Sequence, residues 1–550
     1  MYLKKKEHIL YISLLVLTWI LAVVYVDPVG NFPLDDDWAY ARPVKSFLEK
    51  GKLEFTDWPA MTLIGHLTWG LLFTKAFGFS FTVLRMSVLV LGLLGLVSLF
   101  HLLTFLRLPS RIAFAVALLI GCNPIYFCLS NSYMTDVPFF AWSVLAILFF
   151  LREISSEEHT SDYIGAIVCS LLATSIRQPG IIYPFAFGCI VCSRRRDFKT
   201  VVYGLSPFVI VLGSLLFYEL FYRYQIGYGA NFPNKNLDFF KTLFGHPFYV
   251  VERQSAIVLK IMLYIGLFLF PLSGVLLSRL KILHTRPKLF FSVSILASVA
   301  VLVQTELIHK VMPFDGGNIL TNLGTGPALL FDHDSLKIPV PFAIPGFYWK
   351  IVTVLSFFSF CVLFMTLFEH VAPFFRQPLH LPPPFLYALI CLLLYIPMTT
   401  LLSFYDRYTL PVLLFILILI FSWPLPSISS RGGFFFAFSL SLVAFFSLNA
   451  TSTYLNWNRA RWKAMDYLTK TLAVPTTQID GGFEANGWYN YCTLDKRPQG
   501  EDGKKSWWWV YDNSYVISFS PLPDHQLLKQ FPYRDDVTHC GYFLYVCKKR

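Results

Sequence analysis

Apolar runs close to the length that crosses a lipid bilayer recur through the first 450 residues of this chain. A run of about 20 apolar residues spans the hydrocarbon core as a helix, because a backbone in lipid must satisfy its own hydrogen bonds. The composition agrees: 55% of the 550 residues are hydrophobic and only 14% are charged, against about 25% charged in soluble domains. The sequence therefore predicts an all-α polytopic membrane protein over residues 1–450.

The positive charge of the chain lies in short clusters between the apolar runs. The formal net charge is +12, but the basic residues do not share one face of a soluble domain, as they would in a nucleic-acid-binding protein. Such clusters orient membrane helices, with the positive loops inside. Three lysines, Lys4 to Lys6, precede the first run, Ile9 to Val26, and no small-residue cleavage pattern follows it. We therefore expect no nucleic acid partner and an uncleaved first span that starts in the cytoplasm.

Residues 61–79 form a half-polar stretch that is either a second interfacial helix or a span. If this stretch does not cross, every dense basic cluster lies on one side of the membrane. About thirteen spans then result, and the odd number places the C-terminus outside. The expected spans are residues 9–26, 81–106, 112–129, 137–151, 162–177, 180–193, 201–221, 255–278, 289–304, 350–368, 385–403, 409–423 and 433–449.

The character of the chain changes to polar over residues 451–550. Tyr515 to Phe519 and Gly541 to Val546 have the composition of strands, and Ala460 to Leu472 that of a helix. We expect a small extracytoplasmic α/β domain here. Two long outer loops, residues 222–254 and 305–349, are expected to overhang the same face as lids or as disordered segments. In the second loop, Asp332 to Asp334 is expected to be solvated rather than a metal site.

Three consecutive carboxylates, Asp35 to Asp37, follow the first span and therefore lie outside. The loop that contains them, residues 27–60, has apolar residues at helical spacing, which predicts a helix on the outer membrane surface. The acids fit the N-terminal cap of that helix as well as a chemical role. The first outer loop is taken as residues 27–80.

The outer ends of other spans add Asp136, Arg177 and Arg407 to the same face. A carboxylate can act as a general base on an acceptor hydroxyl or amine, and the planar guanidinium fork suits a phosphate. Together they fit a transferase that uses a lipid-phosphate donor. Each residue alone also fits a structural pairing at a span end.

These residues also resemble a known family pattern. Asp36-Asp37-Trp38-Ala39-Tyr40-Ala41 is similar to the acidic pair and Tyr-Ala in the first outer loop of membrane glycosyltransferases that use polyprenyl-phosphate sugars. That class includes protein O-mannosyltransferases and the bacterial transferase that adds aminoarabinose to lipid A. The resemblance continues through Phe77-Gly78, Arg85, Thr135-Asp136, Arg177 and Arg407-Tyr408. The chain departs from the family pattern at three places. Asp37 stands in place of Glu, Arg177 in place of Lys, and Trp58-Pro59-Ala60-Met61 in place of a Pro-Pro-Leu-like segment.

The resemblance implies a GT-C fold and inverting transfer of a hexosyl or pentosyl group from a polyprenyl phosphate at the outer face. It implies Asp36 as the base, with Asp37 and Asp136 orienting the acceptor or a metal, and Asp35 as a bystander. Phosphate contacts would come from Arg177, Arg407 and Arg85, and substrate contacts from Tyr40, Tyr405 and Tyr408. A divalent metal ion at Asp36 and Asp136 is the one cofactor left open.

The implied partners are the lipid-linked donor, membrane lipids and a lipid, glycan or protein acceptor. The resemblance to bacterial members implies the inner membrane. A transporter or flippase of a lipid-linked sugar and a related glycan ligase are the alternatives, although a transporter would need internal repeats and charges near mid-bilayer.

Overall fold

The structure, a computed structural model, describes residues 2–56, 58–155, 160–226, 241, 244–307, 312–314, 318–340, 342–375, 381–400, 404–424, 429–491, 508–510 and 512–550. The helices are α1 Tyr2–Val26, α2 Asp37–Lys50, α3 Ile64–Phe77, α4 Phe81–Phe105, α5 Ser110–Gly121, α6 Pro124–Ser130, α7 Asp136–Ser155, α8 Thr160–Ile176, α9 Ile182–Arg194 and α10 Phe198–Ile226, then α11 Pro247–Phe268, α12 Phe270–Leu277, α13 Lys281–Thr285, α14 Pro287–Leu307, α15 Phe331–Asp334, α16 Gly346–Val371, α17 Pro383–Thr400, α18 Thr409–Phe421, α19 Ser430–Asp466 and α20 Phe483–Asn490. The strands are β1 Leu320–Thr321, β2 Gly324–Thr325, β3 Ile479–Asp480, β4 Tyr515–Ser518, β5 His525–Asp535 and β6 Cys540–Lys549.

Every predicted span coincides with a helix or a bent helix pair. Among the described residues, seven helices are long and apolar enough to cross a membrane, and the bent pairs α5–α6 and α11–α12 raise that number to nine. The remaining predicted spans are the shorter helices α8, α9, α17 and α18. The prediction of a polytopic helical membrane protein is confirmed, whereas the total of about thirteen crossings is not.

Two predicted spans are broken by proline. The helix pair over 110–130 bends by 69° where the Asn123 side chain accepts hydrogen bonds from the backbone N–H groups of Ile125 and Tyr126. Pro124 then opens α6, since proline lacks the N–H that would continue α5. The pair over 247–277 bends by 75°, with Pro271 in the first turn of α12.

Helix α2 is the predicted helix of the first outer loop, but its apolar face does not lie on the membrane. Trp38 is fully buried, and its ring contacts Phe483, Tyr491 and Trp509 at centroid distances of 6.0, 4.9 and 5.1 Å. The C-terminal segment therefore covers the face that was predicted to face lipid. Helix α3 is 14 residues long, too short to cross a bilayer, which agrees with an interfacial helix.

The C-terminal region contains the predicted small α/β unit. Its sheet has the strand order β3-β4-β6-β5, with β3 parallel to β4 and the other two pairings antiparallel. The predicted strands correspond to β4 and β6, and β5 was missed. Helix α19 runs without a break from Ser430 to Asp466, through the predicted domain boundary at 450, and so joins the membrane bundle to this sheet.

The second long outer loop is folded where the structure describes it. Strands β1 and β2 form a small hairpin, and the Leu329 carbonyl accepts a hydrogen bond from the Phe483 N–H at 3.1 Å. Asp332 is fully buried and accepts from the Ser520 N–H at 2.9 Å, so the expectation of a solvated loop was wrong at that residue. In the other long outer loop, residues 222–254, positions 227–240 and 242–243 lie outside the described residues.

Candidate active site

The chain between α1 and α2 is held against α4 by Arg85. Its guanidinium is fully buried and donates to the carbonyls of Pro28 and Gly30 at 3.1 and 2.8 Å, and also to that of Phe32. The guanidinium carbon lies 4.5 Å from the centre of the Phe32 ring. These contacts favour a loop-anchoring role for Arg85 over the predicted phosphate contact.

Of the three adjacent aspartates, Asp37 is built into the fold. Its Oδ1 accepts from the Tyr133 N–H at 2.7 Å and its Oδ2 from the Leu34 N–H at 3.2 Å. The side chain is fully buried, and burial raises its pKa to about 7 although the Arg85 charge opposes the rise. We infer that Asp37 anchors the loop to the segment before α7, which leaves it poorly placed to touch a substrate.

Asp35, expected to be a bystander, instead contacts an arginine. Its Oδ2 lies 3.4 Å from Nη1 of Arg407, and its backbone has φ of 51°, in the left-handed region that non-glycine residues rarely adopt. Burial raises the pKa of Asp35 well above its usual range, Asp36 adds to the rise, and Arg407 counteracts it. Asp35 therefore contributes to the charge balance of the site.

Asp36, the predicted base, lies between an indole and a guanidinium. Its Oδ1 accepts from Trp58 Nε1–H at 2.7 Å, and its Oδ2 lies 3.8 Å from Nη2 of Arg407. The Tyr40 hydroxyl is 3.5 Å from the same Oδ2. Asp36 occupies the N-cap position of α2, yet its side chain makes no capping hydrogen bond. The prediction that this carboxylate caps the helix is therefore wrong.

Asp136 and Arg177 form a second acid and arginine pair beside the first. Arg177 Nη2 lies 2.9 Å from Asp136 Oδ2, with both side chains less than a tenth exposed. Arg177 Nε also donates to the Thr135 hydroxyl at 2.9 Å. Asp136 is thus placed to orient Arg177. This agrees with the alternative prediction that these residues make a structural pairing at a span end.

Tyr408 links the two arginines. The guanidinium carbons of Arg177 and Arg407 lie 5.6 and 6.0 Å from the centre of its ring, and Arg407 also lies 4.5 Å from the Tyr405 ring. Aromatic faces at these distances stabilise cations. The neighbouring Asp406 is structural, because its carboxylate accepts from the N–H groups of Ile319 and Leu320 at 3.0 and 2.7 Å.

An apolar groove lies among the helices of the bundle. It has a volume of about 520 Å³ and is lined only by apolar side chains of α11, α16, α17, α18 and the segment before α17, among them Ile265, Phe364, Leu392 and Val412. Val412 lies in the first turns of α18, directly after the segment that carries Arg407 and Tyr408. A long hydrocarbon chain fits such a groove.

The predicted metal candidates do not fit a resident divalent ion. Within the described part of the chain, no three His, Cys, Asp or Glu residues are grouped as a metal would require. Asp36 and Asp136 each face a guanidinium, at 3.8 and 2.9 Å, so a positive charge already stands where the ion would bind.

Three residues near the site were not predicted. Trp58 appeared in the sequence only as a departure from the family pattern. Glu484 accepts from the Asp35 N–H at 3.3 Å and pairs with Arg461 at 2.6 Å. The rarity of acids in an aromatic segment was the one available signal for Glu484.

Comparison with known proteins supports the enzyme class. Residues 67–218 match the family model described as dolichyl-phosphate-mannose-protein mannosyltransferase. No curated protein sequence matches the chain. The matched segment contains Arg85, Asp136 and Arg177 but not the aspartates of the first loop.

Solved structures of three membrane transferases are similar at low identity. The Saccharomyces cerevisiae protein O-mannosyltransferase Pmt1-Pmt2, bound to the sugar donor, is 13% identical with a TM-score of 0.34, covering 40% of this chain and 34% of that chain. ArnT from Cupriavidus metallidurans, bound to undecaprenyl phosphate, is 13% identical with a TM-score of 0.41, covering 98% and 97%. The Archaeoglobus fulgidus oligosaccharyltransferase, tethered to an acceptor peptide, is 14% identical with a TM-score of 0.30, covering 76% and 56%.

This chain spans about a third of the length of the yeast protein. The family pattern lies in the segment that supplies one acid and arginine pair of the site. The match over residues 67–218 thus confirms the predicted resemblance, and this segment is similar to the dolichyl-phosphate-mannose-protein mannosyltransferases.

Proposed function

We propose that this protein transfers a sugar, with inversion, from a polyprenyl phosphate to an acceptor hydroxyl or amine at the outer face of the membrane. The observation that carries the proposal is the contact of Asp36 with Arg407, at 3.8 Å. A general base and a phosphate-binding cation must both lie within reach of the donor's reacting end, and this contact brings the two kinds of group to one place. Asp36 keeps 13% of its side chain exposed, whereas Asp37 is fully buried.

Two features support a lipid phosphate as the donor: the apolar groove and the pair of arginines. The isoprenoid chain would lie in the apolar groove, which holds no charged side chain, and its phosphate would reach Arg407 and Arg177 beside Tyr408. Arginine suits this place because its planar fork binds phosphate oxygens in a bidentate way and keeps its charge when it is buried.

The transfer is a single displacement. The Asp36 carboxylate accepts the proton of the acceptor hydroxyl or amine while the acceptor atom bonds to the anomeric carbon. The bond from that carbon to the phosphate oxygen breaks, and its electron pair leaves with the polyprenyl phosphate. Arg407 and Arg177 stabilise the negative charge that develops. One displacement inverts the anomeric configuration, and no divalent ion has a role in the step.

Orientation follows the positive-inside distribution of the loops. The proposal places the N-terminus in the cytoplasm, the site and the C-terminal sheet outside, and the chain in a bacterial inner membrane. Cys540 is exposed on the sheet, so a membrane-impermeant maleimide should label spheroplasts that carry the protein. Labelling of Cys540 that requires lysis would contradict this orientation, and loss of label in Cys540→Ser identifies the labelled site.

Mass spectrometry of lipids and glycans from cells with and without the protein tests the proposed activity. A product heavier by one sugar, present only with the protein, is expected. A mass increase of a whole glycan would instead indicate a ligase. Movement of a lipid-linked sugar across proteoliposomes without a new glycosidic bond would indicate a transporter.

A further inference from the structure

The C-terminal domain reaches the catalytic acids through one buried carboxylate. Glu484 lies in the first turn of α20, and its Oε2 is 2.6 Å from Nη1 of Arg461, with neither side chain exposed. Its second oxygen, Oε1, accepts from the Asp35 N–H at 3.3 Å. One side chain therefore connects the outer end of α19 with the turn formed by residues 34–37, called here the aspartate turn.

We propose that Glu484 is a positioning residue that sets the backbone of the aspartate turn, and so the direction in which Asp36 faces. This inference rests on the proposed role of Asp36 as the base. It makes the C-terminal domain a working part of the active site.

Asp35 is the residue through which Glu484 acts. Its φ of 51° lies in the left-handed region, which costs energy for a residue with a Cβ, although less for Asp than for most residues. Glu484 holds the backbone N–H, and Arg407 holds the carboxylate at 3.4 Å. With both ends of Asp35 fixed, the next residue has little freedom, and its carboxylate faces Trp58 and Arg407.

Close packing brings Glu484 to this place. Gly482 precedes α20 with φ of 85°, and a Cβ there would lie 2.8 Å from the Leu329 carbonyl oxygen. A Cβ at Gly487 would lie 2.5 Å from the Trp38 indole of α2. Since both glycines allow contacts that no other residue permits, α20 is held tightly against α2 and the outer loop.

A purely structural ion pair is the alternative, because breaking any buried pair destabilises a protein. Two double variants separate the readings without leaving a lone buried charge. Arg461→Met with Glu484→Gln removes both charges but keeps an oxygen that can accept from the Asp35 N–H. Arg461→Met with Glu484→Leu removes the acceptor as well. Asp535→Asn, at a buried acid of β5 that bonds Thr453 at 2.8 Å, is the control for losing a carboxylate in the same domain.

The first readout is amide hydrogen exchange of the peptide covering residues 32–40 in the purified full-length protein, which needs no substrate. We expect exchange to accelerate at least about tenfold in the Leu variant and to stay near wild type in the Gln variant and in Asp535→Asn. The second readout is product formed per amount of folded protein in cells. We expect a loss of about ten- to a hundredfold in the Leu variant, with rescue in the Gln variant.

Unchanged exchange at residues 32–40 in the Leu variant would overturn the proposal. Faster exchange throughout the C-terminal domain in both double variants would show a structural pair and would also overturn it. If the exchange pattern holds but wild-type protein forms no product, the proposed function fails while the positioning of the aspartate turn by Glu484 stands.

Discussion

Replacing Trp58 by phenylalanine isolates the hydrogen bond that orients Asp36. The indole N–H donates to Asp36 Oδ1 at 2.7 Å, and a phenyl ring would keep most of the packing against Trp509 and Phe483, whose centroids lie 5.2 and 5.7 Å away. A hydrogen bond to a charged group contributes about 1.5–3 kcal/mol. Its loss from a carboxylate that acts in the transition state should lower kcat between about tenfold and a hundredfold.

The assay compares product formation by Trp58→Phe and wild type in detergent or vesicles, with the donor identified from the mass comparison. KM for the donor should change little, because Trp58 contacts the proposed base, Asp36, rather than the arginines proposed to bind the phosphate. Trp508→Phe is the matched control: it removes an indole from the same aromatic cluster, but its N–H donates to Asp334 at 3.2 Å. Wild-type kcat in Trp58→Phe, or an equal loss in Trp508→Phe, would refute this account of Asp36.

Further expectations concern the arginine, the metal and the pH dependence of stability. Arg407→Lys should lower kcat by about 10²–10³, because lysine cannot keep both the contact with Asp35 and a bidentate phosphate contact; unchanged kcat would place the phosphate elsewhere. Treatment with a chelator should leave transfer intact, and activity restored only by added divalent ion would contradict the single displacement described above. Burial raises the pKa of Asp332 from 3.8 to about 7, a difference of about 4 kcal/mol. The folded state therefore binds the proton more tightly, so wild-type stability should fall as pH rises from about 4 to 7. Thermal melting of Asp332→Asn should show a shallower slope than wild type, while the slope that the buried Asp35 and Asp37 contribute remains.

The helices were predictable because apolar length is a local property. The bend between α5 and α6 was also encoded locally, by Asn123 and Pro124, but a continuous apolar run concealed it. The total number of crossings was less predictable, since α9 and α18 have 13 residues each and every residue of α18 is buried in the bundle. Length and hydropathy do not distinguish a buried core helix from a span.

The site was predictable in its residue types and less so in its contacts. Asp36, Arg407, Asp136 and Arg177 meet as expected, because sidedness and charge brought them to one surface. The roles of Asp35 and Arg85 depended on which carbonyls and cations the folded loop brings near them. The link to Glu484 joins residues 449 positions apart, and no periodicity or charge pattern indicates such a pairing.

The most direct test of the central claim is the activity of Asp36→Asn. The amide is close in size to the carboxylate but cannot accept the acceptor's proton, so product should disappear while the protein remains folded in the membrane. Asp27→Asn, an exposed acid of the same loop with 63% of its side chain accessible, should retain wild-type activity. Near wild-type transfer by Asp36→Asn would contradict the assignment of Asp36 as the base.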